Sequence, residues 1–124
     1  MKKLFKWIGQ GILTFYYREK YEGERKNNEK HGKGIATWAN GNKFDGQWKD
    51  GKLNGKAIAI WTNSDMYEGD WENNKMHGQG TLAYANGDNY EGEWESDKKH
   101  GYGIAIGFDG TKYEGDWKNG EPHS

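Results

Sequence analysis

The chain contains no cysteine and a single proline. Without thiols there is no disulfide framework and no thiolate metal site. The proline, Pro122, lies outside the stretches that read as strands. Serine occurs only at Ser64, Ser96 and Ser124, and no serine–histidine–acid set stands out. No run of about 20 apolar residues exists, so nothing reads as a bilayer-spanning helix. There is no Asn-x-Ser/Thr glycosylation acceptor. The formal net charge is −1, which offers no field for nucleic acid and argues against it as a partner. Hydrophobic content is 32% against 30% charged residues, a balance that ordinarily favours disorder.

Aromatic residues tip that balance the other way. They make up 15% of the chain, with seven tryptophans and eight tyrosines. Each large ring can bury about 150–250 Å², so few residues suffice for a thin core. At 124 residues the chain reads as one domain.

The rings are periodic. Tyr21-Glu22-Gly23, Phe44-Asp45-Gly46, Tyr67-Glu68-Gly69, Tyr90-Glu91-Gly92 and Tyr113-Glu114-Gly115 begin 23 residues apart without insertion. Gly32, Gly55, Gly78 and Gly101 hold the same phase, and one period earlier the phase lands on Gly9. Periods of this length mark repeat architectures. The phase divides the chain into an N-terminal cap (1–8), a half repeat (9–20), full repeats at 21–43, 44–66, 67–89 and 90–112, and a trailing half repeat (113–124).

Each unit holds two short strands. Between them sit "ANGN", "TNSD", "ANGD" and "FDGT" at 39–42, 62–65, 85–88 and 108–111. Asn-Gly and Asp-Gly between β-type runs are strong hairpin signals. Hairpins are therefore predicted at roughly 11–25, 34–48, 57–71, 80–94 and 103–117. Loop length decides which residues share a face. A three-residue loop, a type I turn followed by a glycine bulge, sets Tyr90 opposite Leu82 and gathers the rings on one side. It also sends Ile58, Ile60, Ile104 and Ile106 to the face carrying the acids. The expected fold is all-β: an elongated, single-layer antiparallel meander of serial hairpins, in which each repeat touches only its neighbours. Gly23, Gly46, Gly69, Gly92 and Gly115 weaken a strand unless something needs the missing side chain. The expected reason is a ring from a neighbouring strand lying flat over bare backbone, with Tyr21, Phe44, Tyr67, Tyr90 and Tyr113 as the matching structural set.

The string "YEGDWENNKMHGQGTLAYANGDN" (67–89) and its copies resemble the MORN (membrane occupation and recognition nexus) repeat: aromatic-Glu-Gly-acid-aromatic, a polar loop, Gly-x-Gly, then Leu-x-Tyr and a turn. The resemblance covers about residues 9–121. It implies curved single-sheet hairpin repeats without activity of their own, used for scaffolding, dimerisation and protein binding, with phospholipid binding proposed for some. Four positions depart from the pattern: Arg25 in a tryptophan slot, Ala57 for a glycine, Ser64 for the turn glycine and Gly107 for an inner aromatic. Arg25 predicts a loosely packed first hairpin.

Chemistry is sparse. His31, His77, His100 and His123 recur in phase, but equivalent residues of adjacent hairpins lie about 10 Å apart, whereas zinc ligands sit about 2 Å from one ion. The expectation is no metal, no cofactor and no catalytic residues. The acid ladder, Glu22 and Glu24 through Glu114 and Asp116, repeats in every unit and reads as structural or solvating rather than as one tuned pair. Lysines gather in what read as inter-hairpin loops.

The favoured function is a non-enzymatic scaffold for protein–protein interaction, with self-association as a homodimer included, and with Trp38, Trp48, Trp61, Trp71, Tyr84 and Trp94 as candidate anchors because aromatics dominate interface hot spots. The alternative is peripheral binding to anionic membranes through basic loops and the N-terminal segment, with Lys2, Lys3, Lys6 and Trp7 as lipid contacts. A third reading is carbohydrate or choline-type ligand binding, against which the lack of an evident export signal weighs. The expected location is cytoplasmic, or peripheral at a membrane.

Overall fold

The computed structural model describes residues 19–123. Lys2, Lys3, Lys6 and Trp7, the cap and most of the leading half repeat lie outside the described residues. Ten strands run in chain order: β1 Glu19–Lys26, β2 Glu29–Trp38, β3 Lys43–Lys49, β4 Lys52–Ile60, β5 Met66–Glu72, β6 Lys75–Ala83, β7 Asn89–Glu95, β8 Lys98–Ile106, β9 Lys112–Lys118 and β10 Glu121–Pro122. They form one sheet in the order β1 to β10, every neighbouring pair antiparallel. The described chain has no second layer and no helix.

The ring-side register is the one the three-residue loop predicts. Leu82 pairs with Tyr90 and Gly80 with Gly92. The turn closes with Tyr84 N–H donating to Asp88 O and Gly87 N–H to Tyr84 O, both at 2.9 Å. Gly87 sits at φ 101°, the left-handed bulge position that completes a type I turn in a three-residue hairpin. Ser64 occupies the equivalent place at φ 79°.

The polar stretches between the predicted hairpins are not loops. The strands continue through them and meet at two-residue turns. Asn73 and Asn74 have φ of 49° and 70°, and Ser96 and Asp97 have 49° and 72°. Positive φ at both central residues is the type I′ geometry, whose twist matches paired strands. The lysines assigned to these loops are therefore strand residues flanking tight turns, as Lys49 and Lys52 flank Asp50-Gly51. The short apolar content of "ENNKMH" hid the strands, because alternation there is carried by Met76 alone. Pro122 is also corrected: it ends the two-residue edge strand β10, where a missing N–H costs no ladder bond.

One residue per repeat is bulged. The register shifts between Gly23 and Arg25, Gly46 and Trp48, Gly69 and Trp71, and Gly92 and Trp94. A bulge leaves ladder groups unpaired, and the repeat supplies partners for them. The Tyr67 hydroxyl donates to Asp70 O at 2.9 Å and that of Tyr90 to Glu93 O at 3.0 Å. The bulged side chains accept backbone N–H groups in turn: Asp70 from Gln79 at 3.0 Å, Glu93 from Tyr102 at 3.0 Å. Asp70 is held below the usual carboxylate range: burial opposes this, but Lys56 and the Gln79 N–H outweigh it.

Repeats are also laced along both long edges of the sheet. Ala85 N–H donates to Asp65 and Phe108 N–H to Asp88, both at 2.8 Å. On the opposite edge Leu53 N–H donates to Asn74 and Met76 N–H to Asp97, at 2.9 and 2.8 Å.

Candidate interaction surface

Side chains alternate across a strand, so the register divides the molecule into two faces. One face is built from rings. Tyr67, Tyr90, Trp71 and Trp94 are buried there, although no second layer covers them. They cover one another. Tyr67 meets Trp71 at 5.2 Å and Trp94 of the next repeat at 5.4 Å, and Tyr90 meets Trp94 and Trp117, each at 5.1 Å. The interplanar angles are 83–90°. The rings thus cross edge to face rather than lying in parallel, the arrangement that the aromatic quadrupole favours. Each buried indole is satisfied as well: Trp71 Nε1 donates to Ala57 O at 3.1 Å and Trp94 Nε1 to Gly80 O at 3.0 Å.

The glycines serve these contacts in a way that differs from the expected one. A β-carbon at Gly34, Gly80 or Gly103 would collide with the phenol oxygen of Tyr21, Tyr67 or Tyr90 on the neighbouring strand. At Gly23, Gly69 and Gly92 the collision would be with the backbone of the strand opposite. Close strand approach, not a ring laid flat, accounts for the second group. Gly115 faces the Tyr113 hydroxyl, 2.9 Å from where a β-carbon would stand.

Arg25 does not loosen the first unit. Its guanidinium lies over Tyr21 at 4.8 Å and Nη1 donates to Asn28 O at 3.1 Å, and Tyr21 remains buried. A cation–π contact takes the place of the tryptophan.

Of the candidate anchors, Trp48, Trp71 and Trp94 are buried in this ring network, Trp61 and Tyr84 are half-buried, and Trp38 is 41% exposed. Trp38, Trp48 and Trp71 come together with Phe44 and Leu53 around a hollow of about 220 Å³. Trp38 is the most exposed of the six and borders that hollow.

The other face is uncovered. One row of paired positions crosses the sheet from β1 to β9: Glu22, Ile35, Asp45, Ile58, Glu68, Thr81, Glu91, Ile104 and Glu114. Acids alternate with β-branched residues, strand by strand. The signal was present in the sequence as a spacing of 13 residues, from Asp45 to Ile58 and from Glu91 to Ile104. It is visible only once the register is known. The middle of this row lies in a trough of about 620 Å³ that reaches from β2 to β7. Asp45, Ile58, Glu68, Thr81 and Glu91 line it, with Lys33 and Lys56 beside them and Gly46, Gly69 and Gly80 as its floor.

The two sets of acids differ in employment. Asp70 and Glu93 hold backbone N–H groups. Asp45, Glu68 and Glu91 are exposed and enter no hydrogen bond or ion pair among the described residues. At the far end Glu114 accepts from the Tyr102 hydroxyl and pairs with Lys112 at 3.4 Å. His77 and His100 face Glu72 and Glu95 at 3.5 and 3.4 Å. Among the described residues no three His, Cys, Asp or Glu side chains converge as metal ligands would, and no helix is long and apolar enough to cross a membrane.

A family model described as the MORN repeat matches residues 21–43, 44–66, 67–89, 90–112 and 113–124. No curated protein matches the chain.

Proposed function

Because the chain belongs to the MORN repeat family, a non-catalytic repeat module, we propose that it is a scaffold without enzymatic activity, presenting its uncovered sheet face to a protein partner. The observation that supports this is the asymmetry of the two faces. Rings close one face upon itself, whereas the row from Glu22 to Glu114 leaves half-buried isoleucines between exposed carboxylates along the other. Partly open apolar side chains rimmed by charge suit recognition by another protein. Trp38 and the hollow beside it offer a smaller second contact.

The test is photo-crosslinking from single positions in cells. A crosslinker in place of Thr81, in the trough, should give discrete protein adducts, and one in place of Asn86, at an exposed turn, should give far fewer. Equal yields from both, or lipid adducts alone at position 81, would overturn the reading. Light scattering of the purified chain then states whether a second copy is among the partners.

A further inference from the structure

Resting on that reading of the open face, we propose that the trough receives an α-helical segment of a partner protein, laid across the strands, whose contacting side alternates basic and aliphatic residues every three to four positions.

The direction follows from the trough itself. It crosses six consecutive strands, β2 to β7, so an occupant that fills it runs perpendicular to them. The row beneath it steps from strand to strand by about 4.8 Å. Side chains on one side of an α-helix recur every 3.5 residues on average, an advance of about 5.3 Å at 1.5 Å per residue. Over the five steps from β2 to β7 the helix drifts by roughly 2 Å, which side chains of lysine length absorb. An extended strand presents same-side residues about 6.7 Å apart and would be out of step by roughly 9–10 Å. The helix keeps register with the row, and the strand loses it.

The chemistry follows from what lines the row. Asp45, Glu68 and Glu91 are exposed carboxylates without internal partners among the described residues. They stand two strands apart, about 9.6 Å, close to the 10.5 Å between helical positions seven residues apart. Ile58 and Thr81 fill the intervening places. Two lysines line the same trough: the Lys56 ammonium is paired with Asp70 at 2.6 Å, and Lys33 stands on β2, at the end of the trough beyond the span from Asp45 to Glu91. Lysine or arginine opposite the acids, with leucine or isoleucine between them, therefore meets the face position by position.

The probe is a labelled 21-residue helical peptide with lysine at positions 1, 8 and 15, leucine at 4, 11 and 18, and alanine and glutamine elsewhere. Its control has the same composition with lysine and leucine permuted off this spacing. Fluorescence anisotropy against the full chain should show at least tenfold tighter binding of the patterned peptide, weakened by salt. The double variant Glu68→Lys/Glu91→Lys should lose tenfold or more for it and prefer a version carrying glutamate in place of lysine. Lys75→Glu, beside a turn off the row, should change nothing. Equal affinity for patterned and permuted peptides, or an unaltered preference in the double variant, would overturn the helical proposal. Protein adducts from position 81 alongside that failure would remove the helix while the docking face stood.

Discussion

At the scale of single residues, the most informative place is where the repeat breaks its own rule. In three units a tyrosine sits 13 residues before a glycine that has no room for a β-carbon: Tyr21 and Gly34, Tyr67 and Gly80, Tyr90 and Gly103. In the second unit both members change, to Phe44 and Ala57. The hydroxyl and the methyl would occupy one space, so loss of the first admits the second. The ring moves out with it, and Phe44 meets Trp71 at 6.4 Å where the equivalent tyrosine contacts Tyr21–Trp48, Tyr67–Trp94 and Tyr90–Trp117 are 5.9, 5.4 and 5.1 Å. Phe44→Tyr alone should destabilise by about 1–3 kcal/mol through overpacking. Ala57→Gly alone should also destabilise, by roughly 1 kcal/mol, through lost packing and strand entropy. Together they rebuild the tyrosine–glycine pair and give the hydroxyl the Gln47 carbonyl to bond. A double-mutant cycle in urea should show a favourable coupling of about 1–3 kcal/mol. Additive losses would mean that the two sites do not share that space.

At the scale of the element, turn chemistry decides how cleanly the strands pair. The three-residue turns place a residue at positive φ, and glycine fills that place at Gly41, Gly87 and Gly110. Ser64 adopts the same conformation with a β-carbon, at φ 79°, and stores strain of about 1 kcal/mol. Ser64→Gly should therefore raise stability slightly, by up to about 0.5 kcal/mol, the relief of strain exceeding the entropy cost of glycine. Chemical denaturation measures it, and a loss of stability would show that Ser64 makes a contribution that its geometry does not reveal. Asp65, next to this turn, clasps the following repeat through Ala85 N–H, so relief of strain should leave the inter-repeat lacing intact.

At the scale of the whole molecule, stability depends on phenols that keep their protons. Burial raises Tyr67 well above the ordinary tyrosine range, and burial first, with Glu93 adding to it, pushes Tyr90 up to about 12. The unfolded chain releases these protons near pH 10. Between those limits the native state binds more protons than the unfolded state, so stability falls as pH rises. It should be fully present below about pH 10 and decline between pH 10 and 12. The last phase of tyrosinate absorbance, from the buried phenols, and loss of sheet circular dichroism should move together in that window. Ionisation of all eight phenols near pH 10 with the sheet intact would contradict the buried, edge-to-face network. Because each repeat contacts only its neighbours along one sheet, such a loss need not stay within one unit.

The repeat, the β class and the ring-side register were all legible without coordinates. A strict 23-residue phase with Asn-Gly turns leaves few alternatives, and only one loop length puts Leu82 opposite Tyr90 and the rings together. The tight second turns were only partly legible: Asp50-Gly51 and Asn119-Gly120 carry the hairpin signal in the sequence, whereas Asn27-Asn28, Asn73-Asn74 and Ser96-Asp97 reach type I′ geometry without the glycine that advertises it. Nor was the fate of the anchors: the phase puts Trp48, Trp71 and Trp94 in one slot and Trp38, Trp61 and Tyr84 in another, and only packing between adjacent repeats shows the first slot buried and the second partly open. The alternating row across the open face belongs to the tertiary structure too. Its members come from nine different strands, and no local pattern makes Glu68 and Ile58 neighbours until backbone hydrogen bonds set the strands side by side.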